Sequence, residues 1–198
     1  VLIESLSNVA PDAAGSVAVR VNRLWVGERD GSRLWYSGPD APGDWGWNGT
    51  GTEPSSPPLD GGSMSIDAND GANITGICNF KSMLAIFKSG IMRHTIHKIE
   101  GSLASESDPF YREQLADGMS ARSEMCIATS GDDVLFASSG GMYSLELVDS
   151  VGNVGSVPKS LRINPILDDD PPMCMKYSPR YGVHFIILES NKAMLYHR

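Results

Sequence analysis

The stretch Cys126–Leu147, CIATSGDDVLFASSGGMYSLEL, carries the pattern that decides the fold. A turn at Ser130–Asp133 leads into the apolar block Val134–Ala137 (VLFA), and a second turn at Ser138–Gly141 leads into Met142–Leu147. An unbroken apolar block between turn residues reads as a strand covered on both faces. In the last segment Tyr143, Leu145 and Leu147 alternate with Met142, Ser144 and Glu146, which reads as a half-exposed outer strand. Connections this short make an antiparallel meander, because a parallel crossover needs about a dozen residues or more.

The same grammar recurs along the chain. Cys78, Cys126 and Cys174 are spaced by 48 residues, and each opens a copy. After Cys78 come Met83–Phe87 (MLAIF), a Lys-Ser-Gly turn and Ile91-Met92. After Cys174 come a turn at Ser178–Gly182, Val183–Leu188 (VHFIIL), a turn at Glu189–Lys192 and Ala193–Tyr196. A looser copy precedes them: Val17–Val21, Leu24–Val26, the turn Glu28–Ser32, then Arg33–Tyr36. Meanders repeating at about fifty residues match the blade length of a β-propeller, in which each small sheet buries its faces against its neighbours. The expected fold class is therefore all-β, a propeller-like array of antiparallel meander blades with about four repeats. The blades lie near 17–45, 74–101, 123–149 and 171–198, with long rim loops at 39–62 and 102–123. The three cysteines read as small hydrophobes on equivalent inner strands. Asp108, Pro109 and Gly118 punctuate a short helix over Pro109–Ala116.

Composition agrees with many turns and short elements. The chain has 198 residues, 41% hydrophobic and 20% charged, with 21 glycines and 12 prolines, which is ordinary folded-domain usage enriched in turn formers. The longest aliphatic and aromatic run is Phe185–Leu188, far short of the roughly 18 residues of a membrane span, so no membrane insertion is expected. A net charge of −8 disfavours coating a polyanion such as DNA. Three cysteines with no CxxC pair suggest reduced thiols. The first residue is Val1 and no basic segment precedes a long apolar stretch, so no signal peptide is expected and the chain reads as an excerpt from something longer.

No GxSxG, GKS/GKT, GxGxxG or HExxH signature occurs, so neither a catalytic role nor a cofactor is expected. His94 and His97 are three apart, which on a strand sends them to opposite faces and away from chelation. His184 inside VHFIIL reads as a core histidine with a local partner. Asp67, Asn69 and Asp70 place oxygen groups around Gly71, the kind of loop that can wrap calcium, although an acidic turn is the simpler reading. Asp168–Asp170 reads as a solvated turn. Trp45 and Trp47 sit in a Gly/Pro-rich loop. Together with Tyr36 they form a candidate sugar-stacking set for a carbohydrate-binding propeller, set against the simpler role of loop anchors.

Three segments also carry a family resemblance: Arg23–Trp45 (RLWVGERDGSRLWYSGPDAPGDW), Asp70–Phe87 (DGANITGICNFKSMLAIF) and Arg112–Leu145. In their order and spacing they resemble tailed-bacteriophage virion proteins with a propeller domain, including the tail nozzle and packaged-DNA stabilisation proteins of the portal vertex. The likeness runs from about Val17 to Tyr196. It implies a non-enzymatic structural part of a phage tail or neck, located in the virion, with other tail and neck proteins as partners. It further implies a homo-oligomeric ring that DNA traverses only as a passing polyanion during ejection.

Overall fold

The computed structural model describes residues 11, 13–45, 61–101, 110–131, 133–139, 141–146, 148, 159 and 164–197. The described part is all-β, built on four antiparallel sheets of three or four strands each. Sheet 1 runs β1 (Ala14–Arg20), β2 (Arg23–Glu28), β3 (Arg33–Tyr36), β4 (Gly62–Ser65) in spatial order. Sheet 2 repeats this with β5 (Ala72–Phe80), β6 (Met83–Gly90), β7 (His94–Glu100) and β8 (Tyr111–Asp117). Sheet 3 comprises β9 (Ile127–Ser130), β10 (Asp133–Ser138) and β11 (Gly141–Ser144). Sheet 4 comprises β12 (Pro172–Ser178), β13 (Val183–Leu188) and β14 (Ala193–His197).

The solid apolar blocks are the middle strands, and their alternate residues serve two different cores. Leu84 and Ile86 of β6 pack with Trp25 and Leu34 of sheet 1. Met83, Ala85 and Phe87 of the same strand pack with Val134 and Phe136 of sheet 3. Leu135 and Ala137 of β10 then pack with Met175 and Ile186 of sheet 4. The sheets are thus stacked face to face in chain order. Their first strands contact one another in series, β1 with β5, β5 with β9 and β9 with β12. Two glycines permit the close approach near these strands. A Cβ on Gly27 would lie 2.8 Å from Ile74 Cγ2, and one on Gly76 would lie 2.4 Å from Ile127 Cδ1.

The cysteines mark the expected positions: Cys78 in β5 and Cys174 in β12 lie on first strands, and Cys126 ends a short 3-10 turn, Glu124–Cys126, directly before β9. Cys78 packs against the core shared with sheet 3, and Cys126 is buried in the core shared with sheet 4. Burial pushes the Cys78 thiol up to about 12 and raises that of Cys126 as well, which suits packing rather than nucleophilic use.

Several expectations need correction. The segment 102–123 is not a loop throughout, and from residue 110 onward no helix forms over Pro109–Ala116; Pro109 itself lies outside the described residues. Tyr111–Asp117 is instead a fourth strand on the edge of β7, with His97 opposite Gln114 and Lys98 opposite Glu113. A lone helix this short is marginal, whereas the β7 edge supplies a ladder and the Lys98–Glu113 ion pair at 3.1 Å. Likewise the rim loop 39–62 ends in β4, so the first two units have four strands rather than three. β11 stops at Ser144 and is not half-exposed: Met142 faces sheet 4 and Tyr143 the core shared with sheet 2. Leu147 lies outside the described residues. Asp168 and Asp169 close a short helix, α1 (Asn164–Asp169), and Asp170 accepts a hydrogen bond from Ser190 N at 2.8 Å.

Phe136 is fully buried, with its ring 5.1 Å from that of Phe87 across the sheet 2–sheet 3 contact. Phe136→Ala should lower stability by about 3–5 kcal/mol, whereas Ile91→Ala, at an exposed hairpin tip, should stay within about 0.5 kcal/mol. Urea unfolding followed by tryptophan fluorescence and circular dichroism checks both.

Candidate functional site

The acidic loop between β4 and β5 is where the chain crosses from sheet 1 to sheet 2, and it forms the most heavily charged buried site of the described residues. Its centre is a cation from the protein itself. The Lys88 side chain is fully buried, and its ammonium donates to Ile66 O at 2.5 Å, Asp67 O at 2.9 Å and Asp70 Oδ1 at 2.8 Å. An ammonium has three protons, so this cradle satisfies it completely. Lys88 was expected in a turn after the apolar block; it lies inside β6, directly opposite Thr95 of β7.

Around this centre β7, β8 and the β6–β7 turn each contribute a group. Arg93, in the β6–β7 turn, lies 3.8 Å from Asp70 Oδ2 and 4.0 Å from Asp67 Oδ2. Arg112 of β8 lies 3.3 Å from Asp67 Oδ1 and donates to Ser65 O at 2.8 Å. His97 Nε2 lies 3.1 Å from Thr95 Oγ1 and 3.8 Å from Asp67 Oδ2. Burial raises the Asp70 carboxyl, but the Lys88 hydrogen bond, the Ala72 N–H and the charges of Lys88 and Arg93 outweigh it and hold the group below the usual carboxylate range. Burial pushes His97 below the usual imidazole range; the Asp67 carboxylate opposes this, and the charges of Lys88, Arg112 and Arg93 act in the same direction as burial.

This geometry bears directly on the calcium-loop candidate. Asp67, Asn69 and Asp70 do not converge on a common point: Asn69 is exposed, while the carboxylates of Asp67 and Asp70 are spent on Lys88, Arg93 and Arg112. The place a hard cation would take between the loop oxygens holds the Lys88 ammonium. Among the described residues no group of three or more His, Cys, Asp or Glu is placed to hold a metal ion. His94 and His97 have separate partners, His94 being 2.8 Å from Ser89 Oγ. His184 is buried between the rings of Tyr177 and Tyr196, at 4.9 and 6.1 Å. Lys88, Arg93 and Arg112 were invisible as site residues in the sequence, where only the acids stood together.

The aromatic set is also pulled apart. Trp45 packs on Val26 and Trp35, covering the outward face of sheet 1. Tyr36 lies on the opposite face, its ring 5.4 Å from Trp25 and 5.3 Å from Phe110, with the Arg23 guanidinium 5.7 Å away. Trp47 lies outside the described residues. Trp45 is therefore an anchor, and it shares no stacking surface with Tyr36.

A separate cleft of about 430 Å³ opens where the first strands of sheets 1 and 2 begin, lined by Arg29, Asn73, Thr75, Ser89, Arg122 and Glu124 among others. Both charge signs line it, and the Thr75 hydroxyl is engaged with Ala121 O at 2.7 Å. No helix of the described residues is long and apolar enough to cross a membrane. No family model matches the chain, and no curated protein is similar to it.

Two measurements test the charged site. Lys88→Met strands the Asp70 carboxylate and should cost about 3–5 kcal/mol, with part of the loss recovered in the Lys88→Met/Asp70→Ala pair. Because His97 and Asp70 are both depressed in the folded chain, each stabilises it above its unfolded value and loses that contribution as pH falls. Stability should therefore decline below pH 6.5 and again below pH 3.8. His97→Gln should abolish the first decline in urea titrations run across the pH range, and Asp70→Asn should flatten the second.

Proposed function

We propose that the chain is a structural, propeller-like component of a tailed-bacteriophage tail or neck, forming part of the wall of the conduit through which DNA leaves the portal vertex. The observation that carries this reading is the serial arrangement of four face-to-face sheets whose first strands adjoin in chain order. Sheets packed in this way are what the blades of a propeller require, with the first strands innermost.

The resembling segments fall on whole structural units. Arg23–Trp45 spans the β2–β3 hairpin and its Trp45 cover, Asp70–Phe87 spans the crossing into sheet 2 and most of the β5–β6 hairpin, and Arg112–Leu145 runs from β8 through β11. Charge supports the same role: with a net charge of −8 and the arginines near the crossing loop paired with carboxylates, a polyanion has little to hold it. The carbohydrate-binding alternative has no comparable support, because Trp45 is buried and Tyr36 lies on the other side of its sheet.

Class-averaged electron micrographs of the purified protein test the proposal, the expected particle being a ring with an open lumen. Compact particles without a lumen would count against it. In fluorescence anisotropy with a labelled duplex at physiological salt, the protein should show no saturable binding.

A further inference from the structure

We infer that the cleft across sheets 1, 2 and 3 is a binding site for a short unblocked peptide, a ligand that carries an ammonium at one end and a carboxylate at the other. Sheet 1 supplies Arg29 and Asp30 from the β2–β3 turn, and the run Arg122–Met125 ahead of sheet 3 supplies Glu124. Sheet 2, which lies between them in the stack, supplies Asn73, Ile74 and Thr75 of β5 and Ser89 of β6. The volume of about 430 Å³ is in the range that encloses ligands larger than a single small amino acid.

The state of the polar groups is what points to a ligand. Around the crossing loop, opposite charges pair with one another. In the cleft, the Thr75 and Ser89 hydroxyls are engaged with Ala121 O and His94 Nδ1, and Arg122 is held by Glu189 Oε1 at 3.3 Å. Arg29, Asp30, Asn73 and Glu124 instead have no side-chain hydrogen bond or ion pair among the described residues, although charges of both signs share the one cleft. All four are exposed, so a ligand reaches them without any rearrangement of the fold.

The signs of these groups select the ligand. One unpaired guanidinium stands beside two unpaired carboxylates in a chain of net charge −8, so phosphate and other compact anions are disfavoured. A metal ion would meet the guanidinium, and no group of three or more His, Cys, Asp or Glu among the described residues is placed to hold one. A purely apolar ligand would strip water from the four polar groups and return no hydrogen bond to them. A zwitterion answers both signs. The Arg29 guanidinium donates to its carboxylate, its ammonium donates to Glu124, and the Asn73 amide meets the peptide link between. Asp30 adds a second carboxylate, which favours a basic residue in the peptide over an acidic one. The inference rests on the cleft alone and is independent of the proposed virion role.

Isothermal titration calorimetry tests it with triglycine, N-acetyl-triglycine, triglycine amide, glycine and inorganic phosphate, and circular dichroism melts show that the variants fold. Triglycine should bind saturably and more tightly than glycine. Blocking either end should weaken binding by about tenfold or more, the loss of one hydrogen bond between charged groups. Arg29→Gln should weaken triglycine by the same factor yet leave triglycine amide unchanged, because the amide lacks the group that Arg29 holds. Glu124→Gln should do likewise for N-acetyl-triglycine. Glu113→Gln, on the exposed strand β8, should change nothing, and Gly-Gly-Lys should bind more tightly than Gly-Gly-Glu. No saturable heat with any peptide overturns the inference, as does binding indifferent to the blocked ends or to both substitutions. Phosphate binding in place of the peptides would replace it with an anion site, and glycine binding as tightly as triglycine would overturn the peptide in favour of a single amino acid.

Discussion

A strand whose two sets of side chains are both apolar cannot be satisfied by one neighbour. Successive residues of a strand point to opposite faces, so Met83–Phe87 and Val134–Ala137 each need two covering layers. That demand turns a row of small hairpin units into a stack, with each sheet supplying cover to the next. Other features follow from it. Gly27 and Gly76 stand bare where adjoining sheets approach, and Trp45 is folded back onto the face of sheet 1 that carries Val26 and Trp35.

Stacking imposes a second requirement, that the chain pass from the last strand of one sheet to the first strand of the next. The passage leaves backbone carbonyls at the contact between sheets, and these must be satisfied where water is scarce. Between sheets 1 and 2 the carbonyls of Ile66 and Asp67 are met by Lys88. Between sheets 2 and 3 the carbonyl of Ala121 is met by the Thr75 hydroxyl. The first solution places a full charge in the interior, which is tolerable because Asp70 balances it and Arg93, Arg112 and Asp67 form the surrounding shell. Such a cluster ties the crossing loop to three strands of sheet 2 at once. It fixes the orientation of the loop against the sheet.

The same geometry weakens the sugar-binding alternative. Adjacent sequence position brought Tyr36 and Trp45 together on paper, but a sheet has two sides, and the loop returns Trp45 to the side that Tyr36 does not occupy. Nearness along a chain is a poor guide to a shared surface when a strand end and a loop lie between two residues.

The repeat, the strand class, the antiparallel pairing and the places of the cysteines could all be read from the sequence, because turn residues and period-two burial are local properties. Helix and edge strand could not be told apart at Tyr111–Asp117: the local signals of proline and glycine favoured a helix, and the free edge of β7 outweighed them. The partners of Asp67 and Asp70 were equally hidden, since Lys88 on β6, Arg93 in the β6–β7 turn and Arg112 on β8 meet the acids only after the sheet has formed. Local pattern thus determined what each segment is. Which charge meets which, and which face serves which core, was decided only by the stacking of sheets, because those contacts join residues that no short-range rule links.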